Sequence, residues 1–162
     1  MNELQIQGAL YNHFNAWLVA PNMTLELGEA DLIRVTKAGF LTEYEIKCSR
    51  RDFLADKEKR NKHFVLSGML EKTKALKNKT FKTRAGSIPA QFYYVSPPGV
   101  IEVEDLPNYA GLYHVGPKWY KVKCVKRAPR LHNEPLPDKV FQRFSVSLAH
   151  RLMQAKIKNA GT

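Results

Sequence analysis

Asp31 and, fourteen positions on, Glu45 and Lys47 are the residues whose types and spacing could do chemistry. Two carboxylates offer the oxygen ligands that magnesium prefers, and because that ion keeps several of its waters, one or two carboxylates suffice. A divalent ion so held neutralises a phosphodiester's own charge, lowers the pKa of a bound water and orients attack in line with the leaving oxygen. Lys47 lies two residues beyond Glu45 and so on the same strand face, where an ammonium would hold the attacking water or the phosphate and offset developing charge. Glu29 is a neighbouring carboxylate that competes with Asp31 for this role. Asp31 is preferred because it begins a strand, where backbone pairing fixes its direction. The plainer alternative for Glu45 and Lys47 is an ion pair on a half-exposed strand, worth about 0–1 kcal/mol.

The stretch 28–47 must position these groups. It predicts two strands joined by a tight turn at Lys37-Ala38-Gly39, with an apolar run of Leu32, Ile33 and Val35 in the first. Alternation in the second puts Phe40, Tyr44, Ile46 and Cys48 on one face and Glu43, Glu45 and Lys47 on the other, and pairing of the strands brings Asp31 near Glu45. Upstream, an amphipathic helix is expected over residues 1–20, with Ile6, Leu10, Phe14 and Trp17 as its apolar stripe, ended by Pro21-Asn22 and followed by a strand over 23–27. Glu3 in the first turn suits the helix dipole.

Downstream, Ser49 to Asp52 fits a capping box for a helix running to about Lys62 or His63, with Phe53 and Leu54 buried and another apolar segment starting at Phe64. Arg50, Arg51, Lys57, Arg60 and Lys62 are expected around the entrance to the site. Residues 72–84 form a basic stretch, including Lys74, Lys77 and Lys79 and the lone aromatic Phe81, expected as a loop that orders on nucleic acid. Strands follow at 91–96, 100–103, 112–115 and 118–126, with a firm turn at Pro97-Pro98-Gly99. Pro129, Pro135 and Pro137 mark a linker. Val140, Phe141, Phe144, Leu148, Leu152 and Ile157 then recur at helical spacing, predicting a terminal helix that packs back on the domain, with a homodimer contact as the alternative.

Chain-wide properties agree with a polyanion partner. The 162 residues suit one domain with a hydrophobic core, and their net charge is +11 with a pI near 9.7. Of the 26 Lys and Arg residues, 13 lie between Lys47 and Arg84 against only Asp52, Asp56, Glu58 and Glu71, so the excess is local and beside the suspected site. A solvated helix face plus a basic loop is the alternative. No apolar run is long enough to span a membrane and no signal peptide pattern is present, so an intracellular, cytoplasmic chain with Cys48 and Cys124 reduced is expected. The five histidines show no metal-ligand spacing, and no phosphate-binding glycine loop or Ser-His-Asp order appears.

Asp31 with Glu45-Ile46-Lys47 resembles the core motif of the PD-(D/E)XK nuclease superfamily. The run from Glu45-Ile46-Lys47-Cys48-Ser49 through Asp52-Phe53 to Asp56-Lys57 looks like the EIKxSxxDFxxDK run of small bacterial and phage members grouped as MmcB-like DNA-repair proteins. Phe92-Tyr93-Tyr94-Val95-Ser96-Pro97, Leu106-Pro107 and Ala110-Gly111-Leu112 are similar to the strand-loop-strand that closes the sheet there, so the resemblance covers residues 3–115. It implies an α/β (α+β) fold: a central mixed sheet flanked by helices, restriction-endonuclease-like in its core. Residues 1–126 would form the nuclease-like domain, with 127–162 as linker and C-terminal helix on the same domain. It also implies Asp31, Glu45 and the Ile46 carbonyl as ligands of Mg²⁺, for which Mn²⁺ substitutes, and Glu3 as a further acid from the first helix. The activity implied is DNA endonuclease cleavage leaving a 5′-phosphate and a 3′-hydroxyl, in repair, recombination or phage DNA metabolism, by relatives that often cut as dimers. The alternative is a DNA-binding module with the same fold and no turnover.

Overall fold

The computed structural model of the chain describes residues 1–56, 60–75, 88–118 and 120–160, with the side chains of residue 60 and of residues 70–75 left out. Ten elements follow in order. They are α1 (Glu3–His13), β1 (Leu18–Leu25), β2 (Gly28–Val35), β3 (Leu41–Ile46), α2 (Arg50–Asp56), α3 (Arg60–Ala75), β4 (Gln91–Ser96), β5 (Ala110–Val115), β6 (Val122–Lys126) and α4 (Asp138–Ala160), with a 3-10 turn at Val103–Asp105. The strands form one mixed sheet in the order β1-β2-β3-β4-β5-β6. The first three pair antiparallel, β3, β4 and β5 pair parallel, and β6 returns antiparallel on β5. The expected α/β fold with a mixed sheet, flanking helices and a C-terminal helix is therefore what the chain forms.

The period-2 pattern decides what each face of the sheet carries. Tyr44 and Ile46 of β3, Leu32 of β2, and Tyr93 and Val95 of β4 pack beneath Ile6 and Leu10 of α1. The intervening residues point the other way, where Phe92, Tyr94 and Leu112 meet Phe53 of α2 and Leu66 of α3. On that same side, toward the β1 edge, Ile33 and Val35 meet Phe144 of α4. The parallel step from β3 to β4 requires a long crossover, and α2 and α3 are that crossover.

Several boundaries differ from expectation. The first helix stops at His13, not near residue 20, and Leu18–Leu25 is a strand. Phe14 leaves the helix in extended conformation and its ring packs at 4.9 Å from that of Tyr44 and at 5.8 Å from that of Tyr113, so tertiary packing overrides the helical pattern. Pro21 is tolerated inside β1 because this is an edge strand, paired only with β2. Past Asp56 the chain does not change direction at Phe64: α3 runs straight through Gly68 to Ala75. Leu54, expected to be buried, is half exposed. Residues 100–103 form no strand but a turn leading into the 3-10 turn, and the last strand spans only Val122–Lys126.

The proline-marked segment is not a linker either. Ala128 and Leu131 are buried, and the Leu131 amide donates to the Ala90 carbonyl at 2.8 Å, which straps the chain across the sheet before α4. α4 packs back through Val140, Phe144 and Leu148, whereas Leu152 and Ile157 of the predicted stripe remain exposed.

The strap depends on one missing side chain. A Cβ on Gly111 would lie 2.4 Å from the Tyr93 ring and 2.6 Å from the Ala128 amide nitrogen, distances that backbone cannot accommodate without shifting. Gly111→Ala is expected to cost about 1–3 kcal/mol in chemical denaturation, the range of overpacked core sites. A loss below a few tenths would show that the strap moves freely.

Candidate functional site

The register of β2 on β3 sets Leu32 opposite Tyr44, so Asp31 falls one step further along, beside Glu45 and Ile46. There its Oδ2 accepts a hydrogen bond of 2.6 Å from the Ile46 amide. Glu3 comes from α1, held by Gln7, whose side-chain amide donates to Glu3 Oε1 at 3.0 Å and to the Asp31 carbonyl at 2.9 Å. Asp31, Glu45, Lys47 and Glu3 are thus brought to one end of the β2–β3 pair. Glu29 is drawn aside, accepting from the Asn22 amide at 3.2 Å.

Burial dominates the electrostatics of Asp31. It pushes the carboxyl up to about 7, reinforced by the charges of Glu45 and Glu3, while the Ile46 amide and Lys47 pull the other way.

On the opposite side of Glu45 the sequence reading missed a second layer. Glu45 Oε1 pairs with Lys47 at 2.9 Å and its Oε2 with Lys62 at 2.7 Å. Lys47 continues to Asp56 Oδ1 at 3.2 Å, and Lys62 to Glu43 Oε1 at 2.6 Å. Tyr94 donates its hydroxyl to Asp56 Oδ2 at 2.9 Å, and His63 reaches the Asp56 carbonyl at 2.7 Å and bonds Tyr109 through its other ring nitrogen. Three carboxylates and two ammoniums are therefore buried together, none more than 6% exposed.

Burial raises Glu43 in spite of Lys62. For Glu45 burial is again the largest influence, but Lys62 and Lys47 together outweigh it and hold the carboxyl below its usual range. Burial disfavours the charge on Lys47 and Lys62, yet the carboxylates around them win and both ammoniums are held more firmly protonated than usual.

Lys62, expected at the rim, is consequently a correction: it is 6% exposed because α3 turns it onto the sheet, where two carboxylates neutralise it. Glu43 and Asp56 carried a signal in the sequence, since Glu43 shares the Glu45 face and Asp56 lies one helical turn past Phe53. The partner that binds them, Lys62, lies too far along the chain for any local pattern to reveal. Of the other basic residues, Arg50 and Arg51 are on the exposed lip of α2, and Arg50 donates to Asp105 Oδ1 at 2.6 Å. Ser49 caps α2 as its pattern predicts, accepting from the Asp52 amide at 3.2 Å. Lys57, Lys77 and Lys79 lie outside the described residues, as do the side chains of Arg60 and Lys74 and the ring of Phe81.

Whether the group accepts a cation turns on its donors. Among the described residues, no three His, Cys, Asp or Glu side chains stand at ligating spacing. A caged transition-metal site is therefore not formed by them. Asp31, Glu45 and the Ile46 carbonyl are all oxygen donors, which fits magnesium with waters completing its shell. Glu45 already accepts from a lysine on each oxygen, so a cation there would share those oxygens with the ammoniums through their remaining lone pairs.

The raised Asp31 makes cation binding pH-dependent. Protons and metal compete for this carboxyl, so Mn²⁺ affinity measured by titration calorimetry should weaken about tenfold per pH unit below about 7 and level off above it. For folding the sign is opposite to that of a salt-bridged acid. With its value raised from 3.8 to about 7, Asp31 contributes stability that is present below 3.8 and lost as pH rises through about 7. Asp31→Asn should flatten both profiles. An Asp31→Asn chain that keeps the wild-type pH slope would assign it to another group.

Comparison with family models and with curated proteins returns no match. A solved structure of a protein of unknown function from Silicibacter pomeroyi is similar over 94% of this chain and 86% of that one, with a TM-score of 0.59 and 17% sequence identity. At that identity the likeness shows a shared fold and nothing about activity. Among the described residues, no helix is long and apolar enough to cross a membrane.

Proposed function

We propose that this chain is a metal-dependent DNA endonuclease of the PD-(D/E)XK type. One observation carries the reading: two carboxylates from neighbouring strands, Asp31 and Glu45, converge beside a lysine two residues further on, in a place where burial first, and the charge of Glu45 next, hold Asp31 up at about 7. Two carboxylates so placed offer oxygen ligands to a hard cation. Asp31, Glu45 and the Ile46 carbonyl would hold magnesium, with Glu3 within reach of its waters. When bound there, the ion supplies charge neutralisation at the phosphate and a more acidic water.

The chain's own groups do the remainder. Asp31, deprotonated above about pH 7, is positioned by the Ile46 amide to receive a proton or bind through its carboxylate. Lys47, held between Glu45 and Asp56, keeps its ammonium charged and directed at the same end of β3, where it offsets charge on a pentacoordinate phosphate. Arg50 and Arg51 on the lip, within a chain of net charge +11, would track the phosphate backbone.

A second reading has its own support. Both Glu45 oxygens are already bonded to lysines, so the same fold could hold DNA without turning it over. Incubation with linear, nicked, single-stranded and branched DNA, with Mg²⁺, Mn²⁺ or chelator, separates the two. Metal-dependent cutting is the expected result. Salt-sensitive binding with no product under either metal would favour the binding module.

A further inference from the structure

A cavity of about 410 Å³ opens beside the charged network and has no part in the chemistry assigned so far. It lies between α3 and the connection from β4 to β5, and is lined by His63, Ser67, Tyr94, Asp105, Pro107 and Tyr109. Its walls are mostly aromatic and apolar, with Ser67 and Asp105 adding a hydroxyl and a carboxylate to the lining. That combination, an apolar and aromatic lining with a few polar groups, suits a planar heterocycle.

Its position adds to its composition. Tyr94, in its wall, bonds Asp56 at 2.9 Å, and Asp56 pairs with Lys47 at 3.2 Å, so a single carboxylate separates the cavity from the lysine of the candidate centre. Both lie toward the carboxyl ends of the parallel strands, where open α/β sheets receive their ligands. At the lip, Asp105 accepts from the Arg50 guanidinium at 2.6 Å and so fixes a cation beside the cavity.

We infer that this cavity receives one nucleobase of the bound strand, turned out of its stack beside the phosphodiester held at Asp31, Glu45 and Lys47. The inference rests on nucleic acid being the partner. Stacking and burial of a base are worth roughly five- to hundredfold in affinity when lost. An enzyme seating one base in this way distinguishes frayed, mismatched or single-stranded sites from sound duplex, since an unpaired base leaves its stack most easily.

The test moves a single abasic position along a single-stranded oligonucleotide and measures affinity without metal, for the wild-type chain and for Ser67→Phe, which fills the cavity. Ser67→Met provides a milder filling should the larger side chain impair folding, as judged by thermal denaturation. The expected result is an approximately tenfold loss at one position in wild type, and a flat profile in the filled variant. Tight binding with a flat profile in wild type would overturn the inference while leaving the DNA reading in place. The same holds for a profile that filling does not alter. Absence of binding to any oligonucleotide would overturn both. Displacement of the whole oligonucleotide by millimolar mononucleotide would assign the cavity to a free nucleotide instead and overturn the strand-bound claim.

Discussion

Lys62→Ala is expected to destabilise the protein by about 3–5 kcal/mol, the cost of removing one partner from a buried ion pair. Lys62 binds Glu45 Oε2 and Glu43 Oε1, at 2.7 and 2.6 Å, where all three side chains are buried. Its loss leaves two buried carboxylates facing each other, and Glu43 is already held above its usual range. For a domain of this size such a loss lowers the melting temperature by about 10 °C or more. The deficit should shrink as pH falls, as Glu43 takes up a proton in place of the missing ammonium. Adding Glu43→Gln to Lys62→Met should restore part of the stability, because two neutral groups then replace an unpaired charge. Denaturation of Lys62→Ala within 1 kcal/mol of wild type would mean that the network is hydrated and that its charges do not depend on one another.

The second large effect concerns turnover. Under the proposed function, Glu45→Gln should lower metal-dependent cleavage by at least about 10³-fold while leaving oligonucleotide affinity within a few fold. Lys47→Met should cost about 10²–10³-fold, the range for removing one preorganised group that stabilises developing charge. The two differ in their metal response. Glu45→Gln removes a ligand, so its residual activity should demand more Mn²⁺. Lys47→Met leaves the oxygen donors in place and should change the rate at saturating metal instead. Both replacements are close in size to the originals, and circular dichroism with thermal melts distinguishes lost chemistry from lost structure. Equal cutting by wild type and both variants would remove Glu45 and Lys47 from the mechanism.

The parts of the site that sequence made legible are those within one hairpin. Period-2 alternation relates Glu43, Glu45 and Lys47 to a single face, and the short turn at Lys37-Ala38-Gly39 forces Asp31 against them; the antiparallel register of β2 on β3 follows from the same logic. Lys62 was not legible, because an amphipathic Lys on a basic helix looks alike whether it meets water or a carboxylate seventeen positions back. The length of α1 was misjudged for a related reason. Phe14 and Trp17 fit a helical stripe, but Phe14 finds Tyr44 and Tyr113, and Trp17 stacks at 4.6 Å on Phe141 of α4, 124 residues away in sequence. Local pattern records which side chains want burial. It does not record the distant surface that satisfies them.

The arrangement of β3, antiparallel to β2 on one edge and parallel to β4 on the other, also bears on the order in which the molecule assembles. The three-strand meander from Leu18 to Ile46 closes through short loops, whereas β4 joins only after the chain has travelled from Ile46 to Gln91. Loop closure over that span is slow compared with hairpin formation. Glu45 and Lys47 are thus expected to enter the nascent sheet hydrated, and to lose their water only when α2, α3 and β4 bring Asp56, Lys62 and Tyr94 against them. On that order, docking of the crossover and β4 also creates the electrostatic field of the site, so a chain stalled at the meander is expected to be chemically inert. Truncating Val95 should then speed unfolding with little effect on folding rate, while truncating Ile33 should slow folding itself.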